Sequence, residues 1–358
     1  MTNTFLYSLA RKRSISPWLA DKTQQYRVYL VTEGCGFTGE KIVELLSQQD
    51  YRKEVRGFGS VAREEVEKFI TGKKRASASI KQLQSAPCCH AGAHVVVHTV
   101  AVVDYRNTVP FWEMRAVNVG SRDCRINHSV TTVSKSSALL HGHSSCLTIY
   151  FRGNEDTKYS GEVELPYGKT KAMAEKLVFE ANGKQVQDNG GKLATCIIRA
   201  NTMYGKKATF LQELYLLTKL LLNTCFSPPL ISPGNVASMH VLAARNLQLK
   251  PDLLAGQVYY AYADTPTTKS FLIRHQLLSS MDPSVGLGSH ILYWKIWLMI
   301  QVHTIIKVIL YPFQKPQPFL PLPLLNTTVT TFSYETDKAS RHFGYKPLFT
   351  WEESKHSS

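Results

Sequence analysis

Residues 26–32 (YRVYLVT) form a short β-branched and aromatic run that passes straight into the glycine-containing stretch TEGCGFTG. Residues 40–48 follow with Ile42, Val43, Leu45 and Leu46 apolar at helical spacing. This pattern predicts a strand, a tight turn and an amphipathic helix, one βα unit. Residues 93–103 (AHVVVHTVAVV) are an almost unbroken apolar run, as expected of a parallel strand covered on both faces. A helix is predicted over 167–182, stopped at Gly183, and a further strand over 193–199 (LATCIIR). Such alternation predicts an α/β fold built on a doubly wound parallel sheet. Beyond Pro229 the pattern loosens, and a proline-rich stretch over 312–323 separates an apolar segment from the tail.

Composition narrows the picture. With 358 residues the chain suits one large core carrying a smaller C-terminal lobe. An excess of 42 Lys+Arg over 27 Asp+Glu gives a formal charge of +15. These basic residues are scattered rather than gathered into a footprint, so nucleic acid is not expected as a partner. The 7 Cys are odd in number and show no CxxC pair, which predicts reduced thiols, with no disulfide framework and no metal site. Arg11, Lys12 and Arg13, with no acidic residue before Asp21, superficially resemble a transit peptide, leaving the mitochondrion as an alternative location. The apolar segment 291–313 is interrupted by Lys295, Gln301, His303 and Lys307 and carries Tyr293, Trp294, Trp297 and Tyr311. Association with membrane lipid, in-plane or spanning, is expected there, an ordinary buried helix being the other reading.

Two motifs carry chemistry. Gly34, Gly36 and Gly39 read as GxGxxG between the first strand and the first helix, where bare backbone can approach a pyrophosphate at a helix N-terminus. Phe37 between them can pack under the turn. The core over 26–205 is therefore expected to bind a dinucleotide, following an N-terminal extension over 1–25 and preceding a lobe over 206–358. Tyr167 and Lys171, in PYGKTK, stand four residues apart on one helix face. A phenol titrates ordinarily near pH ~10, and a neighbouring ammonium stabilises its phenolate, so Tyr167 can accept a hydroxyl proton. A YxxxK arises readily by chance among 17 Tyr, and its place after the glycine unit gives it weight. Ser134 to Ser137 lie between the strand around Val97 and Tyr167, either as a polar loop or as donors to a reacting oxygen. A hydrolase is disfavoured, because His98, His141 and His143 have no GxSxG elbow to serve.

Over the blocks VYLVTEGCGFTGE, AGAHVVVHTVAVVD, RAVNV, FRGNEDTKY, LPYGKTKAMAEKLVFEANGK, GNVASMHVLAAR, GQVYYAY and ETDKASRHFGYKPLFTWEES, the chain resembles the 3β-hydroxysteroid dehydrogenase/isomerase family. That resemblance implies an extended Rossmann-type fold with a C-terminal substrate lobe, attachment to the endoplasmic reticulum membrane, NAD as cofactor with NADP as the alternative, and a sterol substrate, a C27 bile-acid precursor among them. The implied reaction is oxidation of a 3β-hydroxyl on a Δ5 sterol followed by a Δ5 to Δ4 shift. Tyr167 matches the family's proton acceptor, Lys171 its partner on the nicotinamide ribose, and Ser137 the serine that stabilises the developing carbonyl. An oligomer is compatible with all of this. Two departures stand out: Glu33 replaces a turn glycine, unfavourably for backbone and charge, and Gly59 stands where the family has the acid that binds the adenosine ribose. They motivate an alternative, a sterol- or cofactor-binding relative without turnover.

Overall fold

The computed structural model describes residues 27–59, 78–80, 92–104, 107–120, 129–134, 150–155, 165–186, 191–200, 202–205, 208, 230–264, 275–279, 282–284, 293–310, 322, 331–334 and 337–357. The extension 1–25 and Ser137 lie outside them.

In chain order the elements are β1 (Arg27–Thr32), α1 (Gly39–Leu46), β2 (Arg52–Phe58), β3 (Ala78–Ile80), β4 (Val95–His98), α2 (Phe111–Asn118), β5 (Ser129–Ser134), β6 (Tyr150–Gly153), α3 (Pro166–Ala181), β7 (Thr195–Ala200), β8 (Thr202–Met203), β9 (Leu230–Ile231), α4 (Pro233–Leu249), α5 (Pro251–Leu254), β10 (Gln257–Ala261), α6 (Tyr293–Leu310), β11 (Thr331–Tyr334), α7 (Lys338–Phe343) and α8 (Trp351–Ser357). Seven strands form one sheet in the order β3-β2-β1-β4-β5-β7-β10, every pair parallel. Chain order reverses between β1 and β4, the switch point at which ligands of doubly wound sheets settle. Two small parallel pairs, β11-β6 and β8-β9, lie outside this sheet.

Both faces of the sheet are covered, which explains the continuous apolar runs. On one face Tyr29 and Val31 pack with Ile42 and Leu46 of α1 and with Ala237 and Val241 of α4. On the other, Leu30 and Val96 pack with Val186 and Leu193, while Val178 of α3 meets Ile197 and Val258. The helix stop at Gly183 holds, with φ +79 there.

Three expectations are corrected. The strand expected over 93–103 ends at His98, because β1, its hydrogen-bonding neighbour, turns away after Thr32. Past that point Asn118 satisfies the backbone instead, accepting from Val102 N at 2.7 Å and donating to Val102 O at 3.0 Å. A strand not anticipated, β5, fills the sheet between β4 and β7. The sheet also passes the boundary expected at residue 205, since its outermost strand is β10 and α4 packs against it. The loosened pattern after Pro229 is thus a core helix, capped by Ser232 accepting from Asn235 N at 3.3 Å and opened by Pro233. Polar residues obscured its apolar stripe, yet they are buried and bonded: Asn235 exchanges two hydrogen bonds with the Phe349 backbone.

Helix α6 is not an ordinary buried helix. Ile296 and Ile300 are buried, whereas Trp294, Trp297, Leu298, Val302, Ile305, Val308 and Ile309 are exposed, Val308 to 70%. Among the described residues, no helix is long and apolar enough to cross a membrane.

Candidate functional site

The turn after β1 is built by close backbone packing. Gly34 N donates to Phe58 O at 2.9 Å and Gly36 N to Glu33 O at 2.8 Å. A Cβ on Gly34 would lie 2.8 Å from Gly57 Cα, one on Gly36 2.7 Å from Glu33 Cγ, and one on Gly39 2.0 Å from Glu33 O. Each glycine of the motif is therefore required sterically, and α1 starts at the third of them. The residue adopting the left-handed conformation is none of the three but Glu33, at φ +53, where a Cβ is strained. Thr38, at the N-cap of α1, makes no side-chain cap bond; its hydroxyl donates to Met203 Sδ at 3.4 Å. An uncapped helix start behind a glycine turn suits a pyrophosphate. Phe37 packs against the cluster of Ile198, Met203 and Val236, its ring also beside Gly205.

The neighbouring strand ends are tied together. Thr32 and His98 meet through Oγ1 and Nδ1 at 3.0 Å, and Thr99 Oγ1 donates to Thr32 O at 2.6 Å. Gly59 follows β2 at this same edge and is buried.

Tyr167 lies in the first turn of α3, directly after Pro166, and Lys171 one turn further on. Both are buried, and the Lys171 ammonium sits 5.9 Å from the centre of the Tyr167 ring. Asn118 fixes this turn: its amide donates to Thr170 Oγ1 at 3.0 Å, and that hydroxyl donates to Tyr167 O at 2.8 Å. Because Asn118 also holds the segment after β4, the first turn of α3 is brought to the carboxyl edge of the sheet, the edge that carries the glycine turn. The far end of α3 meets the start of β7, where Thr195 N donates to Asn182 Oδ1 at 2.9 Å.

A buried ion pair clamps the middle of α3. Arg199 on β7 forms a forked pair with Glu175, Nε to Oε2 at 3.1 Å and Nη2 to Oε1, and its Nη1 donates to Tyr260 Oη at 3.1 Å. Sequence reasoning missed Asn118, Thr170, Glu175 and Arg199 as site-building residues. Asn118 was visible inside RAVNV, and Thr170 and Glu175 inside LPYGKTKAMAEKLVFEANGK; Arg199 carries no local signature. Ser134 closes β5 opposite Arg199, and the chain beyond it, with Ser137, lies outside the described residues.

The sequence model of the 3-beta hydroxysteroid dehydrogenase/isomerase family matches residues 30–286. A curated relative from Homo sapiens called 3 beta-hydroxysteroid dehydrogenase type 7 is 36% identical over 94% of this chain and 96% of its own length. Its Mus musculus namesake is 35% identical over 92% and 93%. Among solved structures, UDP-glucose-4-epimerase (galE) from Stenotrophomonas maltophila superposes with a TM-score of 0.61, at 15% identity over 93% of this chain and 96% of that one. MoeE5 in complex with UDP-glucose and NAD gives 0.60, at 15% identity over 92% and 96%. These distant structures establish the doubly wound fold alone, while the sequence matches span most of the chain. The chain accordingly belongs to the 3-beta hydroxysteroid dehydrogenase/isomerase family.

Proposed function

We propose that this protein oxidises the 3β-hydroxyl of a Δ5 sterol, a C27 bile-acid precursor being the favoured substrate, with NAD as cofactor and a Δ5 to Δ4 shift to follow. The observation that carries the reading is the buried Tyr167 and Lys171 pair, 5.9 Å apart in the first two turns of α3, at the sheet edge that bears the glycine turn. The relatives named 3 beta-hydroxysteroid dehydrogenase type 7 support the substrate class. The NAD named with the superposed epimerase and MoeE5 supports the cofactor class. Gly34, Gly36, Gly39 and the start of α1 would hold the pyrophosphate, and Lys171 the nicotinamide ribose.

A bound nicotinamide cofactor would supply the acceptor for the C3 hydride. Tyr167 Oη takes the proton from the 3β-hydroxyl. Two charges favour its phenolate: the Lys171 ammonium and the positive end of the α3 dipole, whose first turn contains no acidic residue. Ser137 stabilises the carbonyl oxygen as it forms. Once C3 is a ketone, the C4 hydrogens are both α to the carbonyl and allylic to the Δ5 bond, so a proton shift from C4 to C6 moves the double bond into conjugation.

The exposed apolar surface of α6 supports an in-plane seat on lipid at the endoplasmic reticulum, from which an insoluble sterol would be delivered.

The test is oxidation of a 3β-hydroxy-Δ5 sterol by detergent-purified protein, followed by NADH absorbance, with cofactor binding read separately from thermal stability. Tyr167→Phe should abolish turnover and keep the cofactor-induced stabilisation, whereas Lys171→Ala should damage both. Full turnover by Tyr167→Phe would remove the tyrosine from the chemistry.

A further inference from the structure

This inference rests on the nicotinamide-cofactor reading above and concerns the adenosine end of the same site. In doubly wound dinucleotide sites, an acidic residue about 20 positions beyond the glycine turn, at the end of the second strand, accepts hydrogen bonds from the adenosine ribose. Gly59 occupies that place and has no side chain to offer. Across the sheet edge, Glu33 leaves β1, the strand paired with β2, in a left-handed conformation. Its Cγ covers Gly36, 2.7 Å from where a Cβ there would sit. Its carboxylate ends beside Gly59, with Oε2 3.7 Å and Cδ 3.8 Å from the position of a Cβ on that glycine. The carboxylate thus lies in van der Waals contact with the space into which a side chain at 59 would extend. Among the described residues no hydrogen bond or ion pair engages the Glu33 carboxylate, and the residue is part-exposed, so its acceptor oxygens are available to a ligand at this edge.

We infer that Glu33 is the adenosine-ribose carboxylate of this protein, moved from the end of β2 to the turn after β1, and that it selects NAD over NADP. The strain of a left-handed glutamate is then the cost of aiming a carboxylate across the turn. The charge that looked misplaced beside a pyrophosphate instead lies where ribose hydroxyls donate, and a 2′-phosphate would meet it with like charge.

Binding of NAD⁺ and NADP⁺ to the full chain in detergent, by calorimetry and by thermal shift, tests the assignment without any turnover. The wild type should bind NAD⁺ at least about tenfold more tightly than NADP⁺. Glu33→Gln, of equal size, should weaken NAD⁺ by about tenfold and bring the ratio close to one. Glu33→Gly should do the same, and adding Gly59→Asp to it should restore the preference, since a Cβ at 59 meets only ordinary contacts. An unchanged ratio in Glu33→Gln, or tighter NAD⁺ binding by Glu33→Gly alone, would overturn the inference, because the carboxylate would then obstruct the site. Failure of the wild type and of Glu33→Gly to bind either nucleotide would sink the oxidoreductase reading as well, whereas binding with an indifferent ratio sinks only the ribose assignment.

Discussion

Glu175→Gln is the substitution for which the structure fixes the largest effect. Glu175 and Arg199 are almost wholly enclosed, with side chains 3% and 6% exposed, and they join α3 to the centre of the sheet through two guanidinium bonds. Arg199 cannot shed its charge, so replacing the carboxylate removes the anion of a buried ion pair, while the guanidinium keeps its bond to the Tyr260 hydroxyl among its other contacts. Breaking one side of such a pair costs about 3–5 kcal/mol. At ~2.1 cal/mol/K of unfolding entropy per residue over this length, the midpoint should fall by about 4–7 °C. Glu175 also lies one turn beyond Lys171 and two beyond Tyr167, so the loosened helix should lower kcat along with stability. Differential scanning fluorimetry and urea unfolding, run beside the sterol assay, measure both. The double variant Glu175→Met with Arg199→Met removes both charges and should recover most of the stability, as apolar replacements of buried pairs do. A loss below about 1 kcal/mol in Glu175→Gln, or a double variant worse than the single, would falsify the view of this pair as an interdependent buried clamp.

Three further outcomes are expected. Asn118→Ala removes the amide that holds both Val102 and Thr170, and should cost about 1–3 kcal/mol for the polar groups left behind; kcat should fall more than sterol KM, because the cost lands on the placement of Tyr167. His240 is buried in α4, and burial pushes its imidazole down to about 4, against the smaller opposing effect of its hydrogen bond to Val236 O. Its folded value lies below the unfolded one near ~6.5, so the unfolded chain binds more protons between them; this contribution is intact above ~6.5 and is lost as pH falls toward ~4, up to about 3 kcal/mol. His240→Gln should flatten that part of the pH–stability profile measured by urea unfolding. Finally, Ile305→Lys with Val308→Lys on the exposed face of α6 should weaken co-sedimentation with phosphatidylcholine vesicles by roughly tenfold or more, at about 1–2 kcal/mol for each side chain kept in water, and leave the unfolding midpoint unchanged. Equal sedimentation of variant and wild type would remove α6 as the lipid contact.

Local pattern alone determined much about this protein. The run 26–32, the apolar helix behind it, the stop at Gly183 and the strand near 193–199 were legible because strand and helix periods and glycine's backbone freedom act over a few residues. The YxxxK spacing put Tyr167 and Lys171 on one helix face for the same reason. What the sequence left open depended on neighbours distant in the chain. Where β4 stops was decided by β1 turning away; β5 earned its place by having β4 and β7 on either side; α4 hid its core face behind polar residues whose partners, such as the Phe349 backbone, come from over 100 residues away. Asn118, Thr170, Glu175 and Arg199 likewise become a brace for the helix that carries Tyr167 and Lys171 only when strand order brings them together. Glu33 shows the division most sharply: the sequence revealed a carboxylate where a turn glycine belongs, but only the pairing of β1 with β2 set that carboxylate beside Gly59, since the direction of a side chain across a sheet edge is fixed by tertiary packing and not by its own sequence neighbourhood.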